Sequence, residues 1–281
     1  MISDGLLVLD KPSGLTSRAA VDRALRWFPR RTKLGHTGTL DPLATGVLVL
    51  CIGKATRLVE YVQRMNKAYH SLFTLGARSS TDDADGEITP ISAHDPGLAA
   101  IEKGLAGLQG RLEQVPPAFS AAHVEGQRAY DLARRGQDVA LTARPVHVYR
   151  IEILKYEHPQ LEVQVECGKG TYIRSLARDL GAMLGVGAYV SLLRRTRVGP
   201  FVPEQATPLE ADAPRVLPTA LALADLPRVD LHETDVPRLR QGQAVPVAAP
   251  DAPEVAVFAS DAVVAVARVQ GGLLWPDKVL A

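Results

Sequence analysis

Two cysteines in 281 residues are too few for a disulfide framework and stand at no metal-ligand spacing. Cys51 lies inside an apolar run and Cys167 just before a glycine, so both read as small core residues. Long apolar runs are also missing. Val47 to Ile52 falls far short of the roughly 20 residues that cross a bilayer. The start carries Asp4 and Asp10 around Leu6 to Leu9 and has neither a basic segment nor a small-residue cleavage site, so a cytoplasmic location is expected. The seven histidines are scattered without an HExxH or HxxxH pair, and no catalytic metal is expected. A strong net charge is absent too. The balance of +1 by itself argues against a nucleic-acid binder.

The distribution of charge reverses that argument. Between Arg18 and His36 six basic residues (Arg18, Arg23, Arg26, Arg30, Arg31, Lys33) face Asp22 alone, and between Gly168 and Arg197 six more (Lys169, Arg174, Arg178, Arg194, Arg195, Arg197) face Asp179 alone. The compensating acid is collected in Asp82, Asp83, Asp85, Glu87, Asp95 and Glu102. Segregated charge suits a protein with one side facing a polyanion, although Arg-rich solvated helix faces would look the same. With 46% hydrophobic and 22% charged residues the chain has an ordinary globular composition, and its length fits one large domain plus a small one, or two medium ones.

Leu6 to Leu9 predicts a buried strand ended by the turn Lys11-Pro12-Ser13-Gly14. Thr16 or Ser17 then caps a helix to about Phe28, with Ala20, Val21, Ala24, Leu25 and Phe28 as its apolar stripe. The segment GHTGTLDPLATG, from Gly35 to Gly46, has no helical or strand period and predicts a structured loop. A strand over Val47 to Ile52, a helix over Ala55 to Val62 and a strand over Ala68 to Leu75 follow. An acidic turn comes at Thr81 to Gly86, then a helix at Gly97 to Leu108. From about 113 to 145 a Pro-rich, Arg-bearing stretch interrupts the rhythm as an inserted lobe would. Paired strands (Val146 to Leu154, Leu161 to Cys167), a helix over Tyr172 to Leu184 and a strand over Ala188 to Val198 complete this part. After about Leu226 the composition turns to Pro, Val and Ala with short strand-like runs, which divides the chain into 1–226 and a small β-rich unit, 227–281. Helices and strands mix without a strict βαβα order, so the class is α+β.

The loop from Gly35 to Gly46 is polar between segments that want burial, an arrangement costly to order unless it builds a site. Asp41 precedes Pro42, which biases it away from helix. Alone, it is either a turn residue of an Asp-Pro pair or a functional carboxylate.

GHTGTLDPLATGVL, with Lys11-Pro12-Ser13-Gly14 before it and GKGTYIRSLARDLG from Gly168 to Gly181, resembles the bacterial tRNA pseudouridine-55 synthases, the TruB family. The resemblance runs from about Gly5 to Val198 and takes in QVPPAFSAAHVEGQRAYDLARRG, which is similar to the family's RNA-gripping insertion. Phe119 and His123 depart from it, standing where the pattern has Tyr and Lys.

The resemblance implies a pseudouridine synthase fold, with a central mixed, largely antiparallel sheet, flanking helices and a small C-terminal PUA-like RNA-binding domain. The tail sequences Arg240-Gln241-Gly242-Gln243 and Leu274-Trp275-Pro276 carry that last likeness. It implies isomerisation of uridine 55 in the T-arm of tRNA by base flipping, without cofactor, by a monomer needing no protein partner. Asp41 would be the nucleophile and Arg174 its partner, although a phosphate contact at a helix start is another reading of Arg174. Tyr69 would stack on the target uracil, Tyr172 and Leu193 would line its pocket, and His36 would enter the space the flipped nucleotide leaves.

Two rivals stand beside this. Gly53-Lys54-Ala55-Thr56 resembles the end of a P-loop, but Ala55 stands where that motif needs Ser or Thr. An RNA-binding module or tRNA chaperone without chemistry fits the basic clusters, yet gives no use to Asp41 beside a polyanion.

Overall fold

The computed structural model describes residues 4–120, 123–124, 127–128 and 141–280. Strand β1 (Gly5–Lys11) leads into helix α1 (Ser17–Ala24), and β2 (Leu34–His36) and β3 (Thr45–Ile52) flank the loop that carries Asp41. Next come α2 (Val59–Arg64), β4 (Lys67–Leu75), the hairpin β5 (Ala77–Ser79) and β6 (Ile88–Pro90), α3 (Leu98–Ala106) and β7 (Gly110–Gln114). Of the inserted lobe, β8 (His123–Val124) pairs with β9 (Gln127–Arg128), while the His123 side chain and the Arg-bearing run beyond lie outside the described residues. The chain resumes with β10 (Arg144–Glu157), β11 (Gln160–Cys167), α4 (Ile173–Met183), β12 (Ala188–Val198), β13 (Thr207–Pro208) and β14 (Val216–Leu217).

These strands form one ten-stranded sheet in the order β13-β1-β3-β12-β4-β11-β10-β7, with β14 also on β1 and β2 also on β3. Pairs β1–β13 and β3–β12 are parallel and the rest antiparallel. The expected mixed, largely antiparallel α+β sheet is what forms. A second sheet of five strands, β15 (Arg228–Asp230), β17 (Ala252–Ala259), β18 (Ala262–Gln270), β19 (Leu273–Val279) and β16 (Val245–Pro246), lies in the tail with the short helix α5 (Val236–Arg240). Among the described residues no helix is long and apolar enough to cross a membrane.

Because side chains alternate across a strand, the unbroken apolar runs of β1 and β3 bury both faces. Leu7, Leu9, Leu48, Leu50 and Ile52 point into a core shared with α1, α3 and α4. Leu6, Val8, Val47, Val49 and Cys51 point the other way, onto α2 and onto Ala256, Phe258, Val266 and Leu280 of the tail. Both cysteines are buried free thiols, pushed up by burial to about 12 for Cys51 and about 11 for Cys167. The tail therefore shares one apolar layer with the large sheet while keeping its own cluster around Leu239, Val257 and Leu274. We expect Phe258→Ala to cost about 3 to 5 kcal/mol and to lower the melting temperature of the whole chain in one transition. A separate low-temperature transition confined to the tail would show that the shared layer does not couple the two sheets.

Three local expectations are corrected. The loop from Gly35 begins inside β2, whose Gly35 and His36 pair with Cys51 and Leu50. That pairing depends on a partner distant in sequence, which periodicity does not register. The segment expected as a helix from Ala55 to Val62 is a 3₁₀ turn over Gly53–Leu58 followed by α2. The helix expected to run from Thr16 or Ser17 to Phe28 stops at Ala24 and tightens into a 3₁₀ turn over Leu25–Trp27, with Thr16 as its cap: its hydroxyl accepts from the Ala19 N–H.

Candidate active site

The Asp41 loop is held from four sides. Asp41, Pro42, Leu43 and Ala44 form a turn closed by the Ala44 N–H donating to the Asp41 carbonyl at 3.1 Å, with proline at the position where its fixed φ suits a turn. The buried Ser17 hydroxyl takes the Leu40 N–H at 2.7 Å and donates to the Leu40 carbonyl at 3.0 Å, anchoring the residue before Asp41 to α1. Lys11, fully buried at the end of β1, donates from Nζ to the carbonyls of Pro12, Leu15 and Pro42. Burial lowers its ammonium to about 8. On the far side Arg195 donates to the carbonyls of Gly38, Thr39 and Val47. Gly46 permits the close approach of β3 to β12: its φ is +98°, and a Cβ there would lie 2.3 Å from the Arg195 carbonyl oxygen.

This loop forms one wall of a cleft of about 530 Å³. Tyr69 of β4, Leu193 and Arg195 of β12, and the run Gly168–Arg174 entering α4 supply the others. Gln114 of β7 fixes Tyr172, accepting from its N–H at 2.8 Å and donating to its carbonyl at 3.1 Å. α4 is seated so closely on β12 that a Cβ on Gly181 would lie 2.1 Å from the Ala188 nitrogen.

Arg174 is the hub. One terminal nitrogen, Nη2, forms an ion pair with Asp41 Oδ2 at 2.8 Å and donates to the Phe119 carbonyl at 2.9 Å. The other, Nη1, forms an ion pair with Asp83 Oδ2 at 3.1 Å and donates to the Thr81 carbonyl at 2.8 Å. The guanidinium thus joins the Asp41 loop, the acidic turn and the base of the lobe. Phe119 takes part through its backbone, so the departure from the family's tyrosine leaves this contact intact. The side chains of Arg174 and Asp83 are buried, while Asp41 stays 31% exposed toward the cleft. Burial is the largest influence on the Asp41 carboxyl and raises its pKa; Arg174 opposes this, Asp83 adds to it and Lys11 opposes it.

Of the residues expected at the site, Asp41, Arg174, Tyr69, Tyr172 and Leu193 converge on this cleft. His36 does not. It lines an adjoining concavity with Arg18, Lys33 and Thr56. Sequence reasoning missed Asp83, Arg195, Lys67 and Gln114. Two of these carried a readable signal: Lys67 lies two residues before Tyr69 and Arg195 two after Leu193, so strand alternation places each pair on one face. Lys67 donates to the Gln63 carbonyl at 2.6 Å and burial lowers its ammonium to about 8.

The expected segregation of charge is also corrected. In the second basic cluster Arg178 pairs with Asp82 and Asp179, Arg194 with Asp10, Arg197 with Glu166, and Arg174 with Asp41 and Asp83. The acidic turn folds back onto these arginines, and the exposed Lys169 is the member of the cluster that faces outward. Arg23, Arg30, Arg31 and Lys33 of the first cluster are exposed. Asp83→Asn is expected to lower turnover about 10- to 100-fold with little change in KM, because the guanidinium loses the charged acceptor that fixes its second edge. Single-turnover rates check this, and an unchanged rate would show that Asp41 is held without Asp83.

Two solved structures share this architecture. A Cbf5-Nop10-Gar1 complex matches with a TM-score of 0.75 and 28% identity over 99% of this chain and 85% of that one. An H/ACA RNP bound to a substrate RNA containing 2'-deoxyuridine matches with a TM-score of 0.74 and 26% identity over the same shares. Sheet, tail and cleft together define the class: a pseudouridine synthase fold. The model of the TruB family pseudouridylate synthase N-terminal domain matches residues 26–173, and that of the tRNA pseudouridylate synthase B C-terminal domain matches residues 174–211. The tRNA pseudouridine synthase B of Cereibacter sphaeroides is 46% identical over 88% of this chain and 85% of its own length. That of Mycobacteroides abscessus is 43% identical over 95% and 93%. The chain belongs to the TruB family of pseudouridylate synthases and is an isomerase.

Proposed function

We propose that the protein converts uridine to pseudouridine at position 55 in the T-arm of tRNA, with Asp41 as nucleophile and no cofactor. The observation that carries this reading is the Asp41 carboxylate, aimed into the cleft and held 2.8 Å from a buried guanidinium. A uridine inside a folded RNA arm reaches such a cleft only when flipped out of its stack, at a cost of a few kcal/mol. Tyr69 and Tyr172 supply aromatic faces for the extruded uracil, and Leu193 closes the pocket against its edge. Attack by Asp41 forms a transient covalent bond while the bond between ribose C1′ and uracil N1 breaks. The uracil turns, C5 bonds to C1′, the bond to Asp41 breaks and returns its carboxylate, the C5 proton leaves and N1 takes up a proton. Atoms and electrons balance without an oxidant or metal. His36, beside the exposed Arg18 and Lys33, faces the stem the nucleotide left.

We further propose that residues 1–226, with the lobe at about 113–145, carry the chemistry and that 227–281 is a PUA-like RNA contact. The protein works as a cytoplasmic monomer on tRNA. The test is release of tritium from uracil C5 in labelled tRNA and in a T-arm stem-loop, with the product mapped. Release from both at position 55 is expected. No release, or pseudouridine at another position, overturns the reading.

A further inference from the structure

Beyond the catalytic cleft, across the ridge Gly168-Lys169, lies a second cavity of about 530 Å³ between β7 and β10. The ridge lines both cavities. Its Gly168 N–H donates to the His147 carbonyl at 2.8 Å, which fixes the ridge to β10. On the outward face of β10, His147 and Tyr149 pack ring against ring, centroids 4.4 Å apart and planes 30° apart. Tyr149 is nonetheless 46% exposed. Neither ring joins the apolar cores, which take the alternate residues Val146 and Val148. Arg111 sits directly across from His147 in the β7–β10 register, on the same face, and is exposed, as is Lys169. Glu113, across from Pro145 and two residues further along that face of β7, lines the cavity on the side of Arg111 away from Tyr149.

An aromatic platform flanked by two exposed cations matches a nucleotide: a base on the rings and its phosphate near the cations. We propose that this cavity holds a second nucleotide of the substrate RNA, next in the chain to the uridine in the catalytic cleft, stacked on Tyr149 with its phosphate between Lys169 and Arg111. This rests on the reading of the cleft as a site for a flipped uridine in an RNA loop. When that uridine leaves the stack its neighbour loses a stacking partner, and the Tyr149 face replaces it.

The experiment uses the full chain and T-arm stem-loops carrying 2-aminopurine at each nucleotide flanking the target. Wild type is expected to change the fluorescence of the probe at one flanking position on binding. Tyr149→Ala should abolish that change and raise KM for the stem-loop about tenfold, the loss of one base–aromatic stack, without a matching fall in kcat. Tyr149→Phe, which keeps the ring, should preserve both. Arg111→Gln should raise KM and flatten the salt dependence of binding by about one counterion. If Tyr149→Ala leaves both the probe signal and KM unchanged while wild type releases tritium, the second site is refuted and the reading of the cleft stands. Binding with no tritium release by wild type would instead refute that reading, and the probe signal then reports on the second cavity separately.

Discussion

Asp41→Asn is expected to abolish pseudouridine formation, by at least about 10⁴-fold, while tRNA affinity stays within several-fold of wild type or rises. The amide has the size of the carboxylate and retains one oxygen for Arg174. The backbone turn does not depend on the side chain, since its closing bond runs from the Ala44 N–H to the Asp41 carbonyl. Arg174 keeps Asp83 as a charged partner, so the guanidinium is not left uncompensated. What disappears is the lone-pair charge that makes the residue a nucleophile. Removing a negative charge from a wall that faces a polyanion also removes repulsion, so binding should not suffer. Filter binding and single-turnover tritium release separate the two quantities. An active Asp41→Asn enzyme would sink the assignment of the nucleophile.

How much of this could be read from the chain alone depended on whether the information was local. β1 and β3 announce themselves because every residue from Val47 to Ile52 is apolar, and the structure buries both faces of that run. α4 is legible from Ile173, Leu176, Ala177 and Leu180, which recur at helical spacing and are all buried. The two-residue strands β13, β14 and β16 were not legible, because their pairing is set by neighbours already in place. The same limit explains the charges. Composition counts Arg178 and Asp82 in separate clusters, whereas the fold brings them to 3.0 Å. Lys11 reads as the first residue of a turn, and its burial beneath Pro42 follows only once β1 and the Asp41 loop are packed together. Asp83 had no signal beyond membership in an acidic run.

Arg174→Lys is the second change with a large expected effect, and its pH dependence distinguishes holding a charge from supplying one. Arg174 meets four oxygens through its two terminal nitrogens: two carboxylates and the carbonyls of Thr81 and Phe119. A lysine has three donors on a single nitrogen and cannot span both edges, so at most one carboxylate keeps a close partner. Turnover should fall about 100-fold or more, with affinity changed far less, because the buried guanidinium faces Asp41 and not solvent. The acid limb of the rate follows from the sign of the shift. Burial raises the Asp41 pKa and Arg174 opposes that rise. Only the ionised carboxylate attacks, so activity is lost as pH falls through the raised pKa, above the value of about 3.9 for an ordinary aspartate. Weakening the opposing guanidinium contact moves the limb to still higher pH, further for Arg174→Gln, which carries no charge, than for Arg174→Lys. Rates from pH 4 to pH 8 for the three proteins test this order. If Arg174→Lys instead weakens tRNA binding at unchanged turnover and an unmoved acid limb, the residue is a phosphate contact and Asp41 is ionised by other means.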